Sequence, residues 1–330
     1  MKKFVLQWHL THKCNLRCKH CYQEDYTKDL AYKDLEKIFF NFLDFCKKKK
    51  VKGHINFTGG EPFICKDIFH MFDLCETNEI SFGILTNGTL ITEEIVERLC
   101  SFHFLSFVQV SIDGIEKTHD KIRGNGNFKK VINVCKLLQK YNIQTMVSFT
   151  SHKLNYKELS DVIHIVKKNK IDRFWTDRLI PIDHEKDIND SMILSTSEFQ
   201  EFNQTLVKEK RKAERNPFCK TTIQTNRALQ FCYDKDSPIY ICSAGISLLT
   251  ILADGTLLPC RRLPISIGNV LENSILHLYD TSKIIKDLQN FKIPNECKHC
   301  SKASYCKGGA KCLSYALYGT YNKKDENCWW

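Results

Sequence analysis

Strand-like and helical segments alternate six times over the first 180 residues, and this alternation limits the possible folds more than any other feature of the sequence. Apolar residues at helical spacing, such as Leu35, Ile38 and Phe42, fill the intervals between strands. Repeated β-α units predict an α/β fold with a parallel sheet, right-handed crossovers and chemistry at the carboxyl ends of the strands. The pattern alone does not distinguish a flat sheet from a barrel. The predicted strands are residues 4–10, 54–58, 80–86, 105–112, 143–150 and 172–180.

The loop after the first predicted strand reads THKCNLRCKHCYQ and contains Cys14, Cys18 and Cys21. A closed zinc or iron-sulfur site needs four protein ligands, and no fourth cysteine lies nearby. One interpretation is a partial zinc knuckle or a set of buried apolar cysteines. The other is a four-iron cluster held by three thiolates, which leaves one iron free to bind a ligand. That arrangement is catalytic by the same logic that leaves a coordination position open on a catalytic zinc ion.

Polar and glycine-rich loops follow the next three predicted strands. Residues 58–62 read TGGEP, in which two glycines permit close approach of backbone to a ligand and Glu61 offers an acceptor for an ammonium group. Residues 86–88 read TNG and residues 111–114 read SIDG. Each loop alone is compatible with a simple turn. Four unusual loops at one end of a sheet instead indicate a site for a polar ligand.

The composition favours a globular, soluble cytoplasmic protein. The chain has 330 residues, of which 42% are hydrophobic, and no apolar run approaches the length of a membrane span. Its 17 cysteines are too many for structural disulfides in a reducing compartment, so the clustered ones indicate metal. The net charge of +11 arises largely from scattered lysine runs such as residues 46–52, which are typical of solvated helix faces rather than of nucleic-acid binding. A mild preference for an acidic partner remains.

The composition changes after residue 216. Residues 242–260 contain apolar runs on both sides of Asp254 and Gly255, which predicts a hairpin. The residues alone permit either a zinc ribbon or an iron-sulfur module here. The cysteines of this region that we consider as metal ligands are Cys242, Cys260, Cys297, Cys300, Cys306, Cys312 and Cys328.

The first 180 residues resemble the radical S-adenosylmethionine (SAM) enzymes. CNLRCKHC matches their CxxxCxxC motif, GGEP their motif for the methionine amine, and SIDG lies where the family contacts the ribose. The resemblance implies a partial (β/α)6 TIM-like barrel. It also implies that Cys14, Cys18 and Cys21 hold a 4Fe-4S cluster whose open iron binds the amine and carboxylate of SAM. Reductive cleavage of SAM would then yield a 5'-deoxyadenosyl radical.

The resemblance also implies the residues that bind the cofactor. His20 stands where the family usually has an aromatic residue, and packing is expected of it rather than proton transfer. Arg123 and Arg178 are both candidates to pair with the cofactor carboxylate, with a surface role as the alternative. The complete predicted set is Gly59, Gly60, Glu61, Pro62, Asn87, Ser111, Asp113, Arg123 and His20.

The cysteine-rich region resembles the SPASM extension of this family, whose pattern is Cx(9-15)Gx(4)C, then Cx(2)Cx(5)Cx(3)C, then a last cysteine. The resemblance implies a small cysteine-rich C-terminal domain, so we divide the chain into residues 1–215 and 216–330. By the family scheme, one auxiliary cluster uses Cys297, Cys300, Cys306 and Cys328, and the other uses Cys242, Cys260 and a further cysteine.

The match breaks at Ala310, where the pattern requires a cysteine, and Cys312 lies two residues later. Three outcomes are open. Cys312 supplies the missing ligand together with Cys219 or Cys232; or Cys242, Cys260 and Cys312 are the whole set, which leaves one iron open to a substrate thiolate; or this cluster is absent. The second is the interpretation we prefer, since a bound thiol would be deprotonated and held near the radical.

SPASM enzymes mostly modify peptides or proteins, so the resemblance implies maturation of a ribosomally made peptide by crosslinking or epimerisation. Sulfatase-type protein oxidation and oxidation of a non-peptide substrate are the alternatives within the family. A zinc-carrying, basic nucleic-acid-binding protein is the alternative outside it. The expected partners are a precursor peptide and an electron donor such as flavodoxin or ferredoxin. Because the chain begins directly on the first strand, we expect the leader to be bound either by a separate leader-binding protein or directly by the mouth of the barrel.

Overall fold

The centre of the structure is one sheet that continues through the barrel region into the cysteine-rich region. The computed structural model describes residues 1–23, 29–181, 192–234, 240 and 242–330. Within them, nine strands lie side by side in the order β7-β6-β5-β4-β3-β2-β1-β8-β9. The strands are β1 Lys3–His9, β2 Lys52–Thr58, β3 Ser81–Thr86, β4 Leu105–Ser111, β5 Thr145–Ser151, β6 Arg173–Arg178, β7 Thr222–Ile223, β8 Leu248–Ile251 and β9 Leu257–Leu258.

Helices connect the parallel strands and cover the sheet. Thr92 caps α3, and Ser195 and Glu198 form a capping box at the start of α7. The helices are α1 Tyr32–Lys49, α2 Ile68–Thr77, α3 Glu93–Leu99, α4 Glu116–Arg123, α5 Asn127–Lys140, α6 Leu159–Lys168, α7 Thr196–Glu214, α8 Ile275–Thr281, α9 Lys283–Gln289, α10 Ala303–Cys306 and α11 Lys311–Tyr318.

The strand order confirms the predicted α/β fold. Strands β1 to β6 are parallel and lie in the order of the sequence, without the reversal at a switch point that defines a doubly wound sheet. Consecutive order is typical of a barrel, and the outer strands β7 and β9 show that the sheet is open rather than closed. The six predicted strands are confirmed, with bounds that differ by at most two residues, as at β2, which begins at Lys52, and β5, which begins at Thr145.

The cysteine-rich region extends the same sheet. Strand β8 pairs in parallel with β1, and β9 returns antiparallel to β8. The hairpin predicted around Asp254 and Gly255 is therefore confirmed. On the opposite edge, β7 adds to β6.

Apolar side chains on one face of the central strands pack towards the helices and form the core, while the other face carries polar side chains such as Gln7, Asn56 and Gln109. Trp8, Phe57, Phe82 and Phe174 are all fully buried. None of the helices in the described part of the chain is long and apolar enough to cross a membrane.

Candidate active site

The cysteine loop begins where β1 ends and is fixed by backbone hydrogen bonds to the loop after β2. The Gly60 N–H donates to the Thr11 carbonyl at 2.8 Å, and the Glu61 N–H donates to the Lys13 carbonyl at 2.8 Å. These two bonds continue the pairing of β1 with β2 beyond the strands. The predicted cluster loop and the predicted amine-binding loop are thus joined directly.

The glycines of the second loop are required by this pairing. A Cβ atom on Gly60 would lie 2.2 Å from the Lys13 carbonyl oxygen, and one on Gly59 would lie 2.5 Å from the Thr11 carbonyl oxygen. Neither contact is possible for a larger residue without backbone movement. We expected these glycines to admit a ligand, and contact between the two loops is a second reason that the sequence did not reveal.

Backbone amides point at the sulfur atoms of the cysteine loop. The Leu16 N–H donates to Cys14 Sγ at 3.4 Å, and the Gln23 N–H donates to Cys21 Sγ at 3.3 Å. Such N–H···S contacts suit thiolates that ligate an iron-sulfur cluster and tune its potential. Among the residues described, no three Cys, His, Asp or Glu side chains are placed to hold a single metal ion. The ligands of a multi-iron cluster bind different irons, so they need not converge on one point.

Arg123, from the end of α4, reaches back to this loop. Its Nη1 lies 3.8 Å from Cys18 Sγ, while its Nε donates to Asp113 Oδ2 at 2.5 Å. Burial by itself would raise the pKa of Asp113, but the Arg123 guanidinium and the N–H of Thr150 lower it to about 2. Asp113 is therefore an ionised, buried carboxylate that positions Arg123 beside the cysteine loop.

Glu61 joins the second loop to the third. Its buried carboxylate accepts hydrogen bonds from Thr86 Oγ1 at 2.7 Å, the Asn87 N–H at 2.8 Å and the Phe63 N–H at 3.3 Å. Burial raises its pKa to about 7, although these donors oppose the shift. Both carboxylate oxygens already have partners, so Glu61 orders the loops whatever else it contacts.

Asn87 extends this connection to the cysteine loop. Its Nδ2 donates to Asn15 Oδ1 at 2.9 Å and lies 3.9 Å from Cys14 Sγ. Pro62, predicted with this group, begins the short 3-10 turn Pro62–Ile64 that follows Glu61. Ser111 lies at the end of β4, where its Oγ is 3.4 Å from the Ser148 Oγ of β5.

Two buried histidines, His119 and His152, and the largely buried His20 surround the pair of Asp113 and Arg123. His20 Nε2 lies 3.5 Å from both Asp113 Oδ2 and Arg123 Nη2. Its ring centroid is 5.6 Å from that of His152, which follows β5 directly, and His119 Nδ1 accepts the Asp113 N–H at 3.2 Å. Burial lowers the pKa of each histidine to about 4, so all three are neutral near pH 7.

One nitrogen of each histidine, His20 Nδ1, His119 Nε2 and His152 Nε2, is buried without a hydrogen-bond partner among the described residues. Orphaned buried polar atoms are rare and are typical of sites that take a polar ligand. The sequence analysis missed His119 and His152. The place of His152 at the carboxyl end of a predicted strand was the available signal.

Arg178 does not lie at the surface or in the group around the cysteine loop. It is buried at the end of β6, where it forms an ion pair with Asp325 and donates to Asn327 Oδ1 at 3.1 Å. Its guanidinium also stacks on Phe199, 4.1 Å from the ring centroid. The surface role considered for Arg178 was wrong, and the contacts of its guanidinium connect the barrel to the C-terminal segment.

Cys242, Cys260 and Cys312 come together in the cysteine-rich region. All three pack against one apolar cluster that includes Leu263. Burial, reinforced by the two neighbouring thiols, raises the pKa of Cys312 to about 12. Cys312 thus lies where Ala310 left a ligand missing. Each of the three would need to lose its proton to bind a metal.

Neither further cysteine considered for that centre is among the described residues that pack against the Leu263 cluster. Cys219 and Cys232 pack against the main core instead, and Cys219 Sγ lies 3.8 Å from the Thr221 carbonyl. Cys232 lines a cavity in the cysteine-rich region, so the structure gives no support to the outcome in which either completes four ligands. The same cavity contains the other predicted ligand set. The cysteines that line it are Cys232, Cys297, Cys300, Cys306 and Cys328.

The barrel and the cysteine-rich region meet between the two groups of three cysteines. The Arg261 guanidinium, next to Cys260, lies over the Tyr22 ring at 3.9 Å, and Tyr22 is next to Cys21. Arg262 Nη1 donates to Asp177 Oδ2 of β6 at 2.6 Å. The loop of the first group and the chain around the second are therefore in direct contact.

Comparison with known families agrees with this architecture. The sequence model of the Radical SAM superfamily matches residues 8–174, and that of the SPASM iron-sulfur cluster-binding domain matches residues 242–301.

Individual relatives cover almost the whole chain. Fe-coproporphyrin III synthase of Methanosarcina barkeri is 25% identical over 99% of this chain and 88% of its own length. The antilisterial bacteriocin subtilosin biosynthesis protein AlbA of Bacillus subtilis is 26% identical over 97% of this chain and 69% of its own length. SuiB of Streptococcus suis, solved with its precursor peptide SuiA, shares the fold with a TM-score of 0.79 at 19% identity, over 100% of this chain and 76% of its own. SuiB has also been solved with SAM.

Proposed function

This chain belongs to the radical SAM superfamily and contains a SPASM domain, and on that premise we propose that it modifies a ribosomally synthesised precursor peptide. The two domains imply 4Fe-4S clusters and a site for SAM. When bound, these groups supply one-electron chemistry that removes a hydrogen atom from an unactivated carbon. The residues of the chain hold the reactants, keep water out and direct that chemistry.

The fit of the first centre supports Cys14, Cys18 and Cys21 as its ligands. The N–H groups of Leu16 and Gln23 stabilise negative charge on two of the sulfurs. Around these ligands, the predicted cofactor residues form one connected unit through Glu61, Asn87, Asp113 and Arg123. We propose that Arg123 pairs with the cofactor carboxylate and that His20 packs against the cofactor.

The observation that carries the proposed function is the contact between the loop of the first three cysteines and the chain beside Cys260. Tyr22 and Arg261 stack directly, and each is adjacent in sequence to one of the cysteines. A substrate atom held at Cys242, Cys260 and Cys312 would therefore lie beside the barrel opening. Three thiolates leave one iron of a four-iron cluster available, and a peptide cysteine is a ligand that fits this position.

Two charged side chains favour an anionic ligand at this second centre. Arg262 lies near enough to oppose the rise in the pKa of Cys312, and Lys311 is adjacent in sequence. Positive charge lowers the cost of deprotonating a substrate thiol in a buried site. We propose that residues 216–330 serve mainly as this substrate-binding and electron-transfer region, with residues 1–215 as the SAM-binding barrel.

The relatives support peptide modification but also favour a second candidate. AlbA is named for bacteriocin biosynthesis, and SuiB has been solved with a precursor peptide. The match to Fe-coproporphyrin III synthase nevertheless covers 99% of this chain. Modification of a tetrapyrrole is therefore the alternative function, since its carboxylates would also suit Arg262 and Lys311.

The test is a direct assay with peptides encoded beside the gene. Anaerobically reconstituted protein, SAM and a reductant should together change the mass or the retention of such a peptide. Loss of two hydrogens indicates a crosslink or an oxidation, and altered retention at constant mass indicates epimerisation. Replacing the cysteines of the peptide by serine should prevent the reaction if a thiolate is bound.

Matched substrates distinguish the alternatives. A sulfatase-derived peptide and iron tetrapyrroles with carboxylate side chains should remain unchanged under the same conditions. If only a tetrapyrrole reacts, peptide modification is wrong and the tetrapyrrole alternative is correct. Flavodoxin or ferredoxin should replace the chemical reductant, and a separate leader-binding protein should increase the yield with full-length precursor.

A further inference from the structure

The C-terminal cavity contains one cysteine more than a 4Fe-4S cluster can use. Its lining includes Cys297, Cys300, Cys306 and Cys328, the four proposed ligands, and also Cys232. Cys232 lies more than sixty residues earlier in the chain and has no place in the family pattern. Burial raises the pKa of Cys306 to about 12, and the nearby thiols of Cys328 and Cys232 add to that rise.

Three of the five cysteines come from one short segment. Cys297 ends a 3-10 turn, the Cys300 N–H donates to the Cys297 carbonyl at 3.0 Å, and Cys306 ends α10. The Lys302 N–H donates to Cys300 Sγ at 3.4 Å, as the amides of the first cysteine loop do. This segment supplies three ligands in a fixed local arrangement.

The fourth position has two candidates, on two segments that pack against each other. Cys328 follows the buried Asp325, whose carbonyl accepts the Cys328 N–H at 2.9 Å. Cys232 ends a 3-10 turn, and the adjacent Tyr233 ring lies 5.1 Å from the ring of Trp329. The aromatic pair joins the segments of Cys232 and Cys328, both cysteines line the same cavity, and the Cys328 thiol is close enough to add to the rise in the pKa of Cys232.

We propose that Cys232 and Cys328 are alternative fourth ligands of the C-terminal cluster. When Cys232 Sγ binds the iron, the bond from iron to Cys328 Sγ breaks. The proton leaves Cys232 and is taken up by Cys328, so the charge and the electron count of the cluster do not change. The inference rests on the proposed ligand set and adds a second state to it, with a different environment around one iron.

Iron and sulfide counts on anaerobically reconstituted full-length variants test the proposal. Cys232→Ala and Cys328→Ala should each retain the iron content of the wild type. The double variant should lose about four irons and four sulfides per chain, the content of one 4Fe-4S cluster. Cys297→Ala is the matched control, and it should lose the same amount although Cys232 is present.

A second measurement distinguishes exchange of the fourth ligand from mere retention of iron. The reduced Cys232→Ala and Cys328→Ala proteins should give different electron paramagnetic resonance signals for this cluster, because the fourth sulfur sits in a different environment in each. The signal of the first cluster, and its change on addition of SAM, should be the same in every variant and shows that each has folded.

Three results would overturn the inference. Cys328→Ala losing as much iron as the double variant would show that Cys232 cannot replace it. Cys232→Ala losing that iron would make Cys232 an obligatory ligand. Cys297→Ala retaining the iron content of the wild type would mean that the cavity holds no cluster of this composition, and the proposed ligand set would itself be wrong.

Discussion

The two cysteine regions are built in opposite ways. Cys14, Cys18 and Cys21 lie within one loop, directly after a strand, and the backbone of a neighbouring loop fixes their position. The C-terminal cysteines come from segments between Cys219 and Cys328, and only the tertiary fold decides which of them meet. A local site is therefore specified by spacing, while a dispersed site depends on long-range contacts that can fail separately.

The first expected effect is the largest and is confined to the local site. Replacing Cys14, Cys18 and Cys21 by alanine should abolish cleavage of SAM to 5'-deoxyadenosine, because the loop contains no other thiol. Iron at the C-terminal cysteines should remain, since those ligands are on other segments. Chromatography of the nucleoside and an iron count per chain measure both results. Cleavage at the wild-type rate would contradict the assignment of these cysteines.

The reciprocal change acts on the dispersed site through Arg178. Replacing it by alanine leaves the buried Asp325 without its cation, which should lower the free energy of unfolding by about 3–5 kcal/mol. Asp325 Oδ2 accepts the Ala310 N–H at 2.7 Å and Oδ1 accepts the Asn327 N–H at 3.0 Å, so the segments before Cys312 and Cys328 should loosen.

Denaturant unfolding and iron counts test this expectation. Arg178→Ala should lose C-terminal iron and retain the first cluster. The Arg178→Ala, Asp325→Asn double variant is the control, because removing the uncompensated charge should recover part of the stability. Equal iron loss from both regions would show that the two regions do not fail separately.

The contrast between a local and a dispersed site also explains which parts of the molecule could be predicted from the sequence. Alternating patterns predicted β1 to β6 within two residues, because strand formation and helix spacing are local properties of the sequence. The spacing of the first cysteines likewise predicted a shared loop. His152 was missed because the ring that it meets, His20, lies far away in the chain, and Cys232 was considered only for the other C-terminal centre. Cys312, which the broken pattern left uncertain, was placed beside Cys260 only by the fold.

The contact of Gly60 with the cysteine loop predicts a smaller effect on stability and on SAM cleavage in the local site. A methyl group there would overlap the Lys13 carbonyl, so Gly60→Ala should lower the free energy of unfolding by about 3 kcal/mol and displace the cysteine loop. Gly126→Ala is the matched control, because its Cβ would meet nothing within 4 Å and only its φ of +76° opposes the change. That control should cost about 1 kcal/mol and keep SAM cleavage. Similar losses of cleavage in both variants would rule out loop contact as the cause.

The smallest expected effect is a change in pH dependence at Glu61. Its pKa is raised by burial to about 7 in the folded chain, so the folded state binds this proton more tightly than the unfolded state. The contribution of Glu61 is therefore most favourable below its ordinary pKa, and the free energy of unfolding falls as pH rises towards 7, by up to about 1.4 kcal/mol per unit. Glu61→Gln should remove that slope, although it also weakens one of the hydrogen bonds to Thr86 or Asn87. Urea unfolding between about pH 5 and pH 8 measures this slope.

Glu76 is a control because its pKa is shifted in the opposite direction. Burial opposes the shift, but the N–H groups of Phe104 and His103 lower the pKa of Glu76, so its contribution to the free energy of unfolding is lost as pH falls. If Glu61→Gln leaves the slope of the wild type unchanged, Glu61 is ionised in the folded chain throughout this range, and the second loop is held by a charged carboxylate.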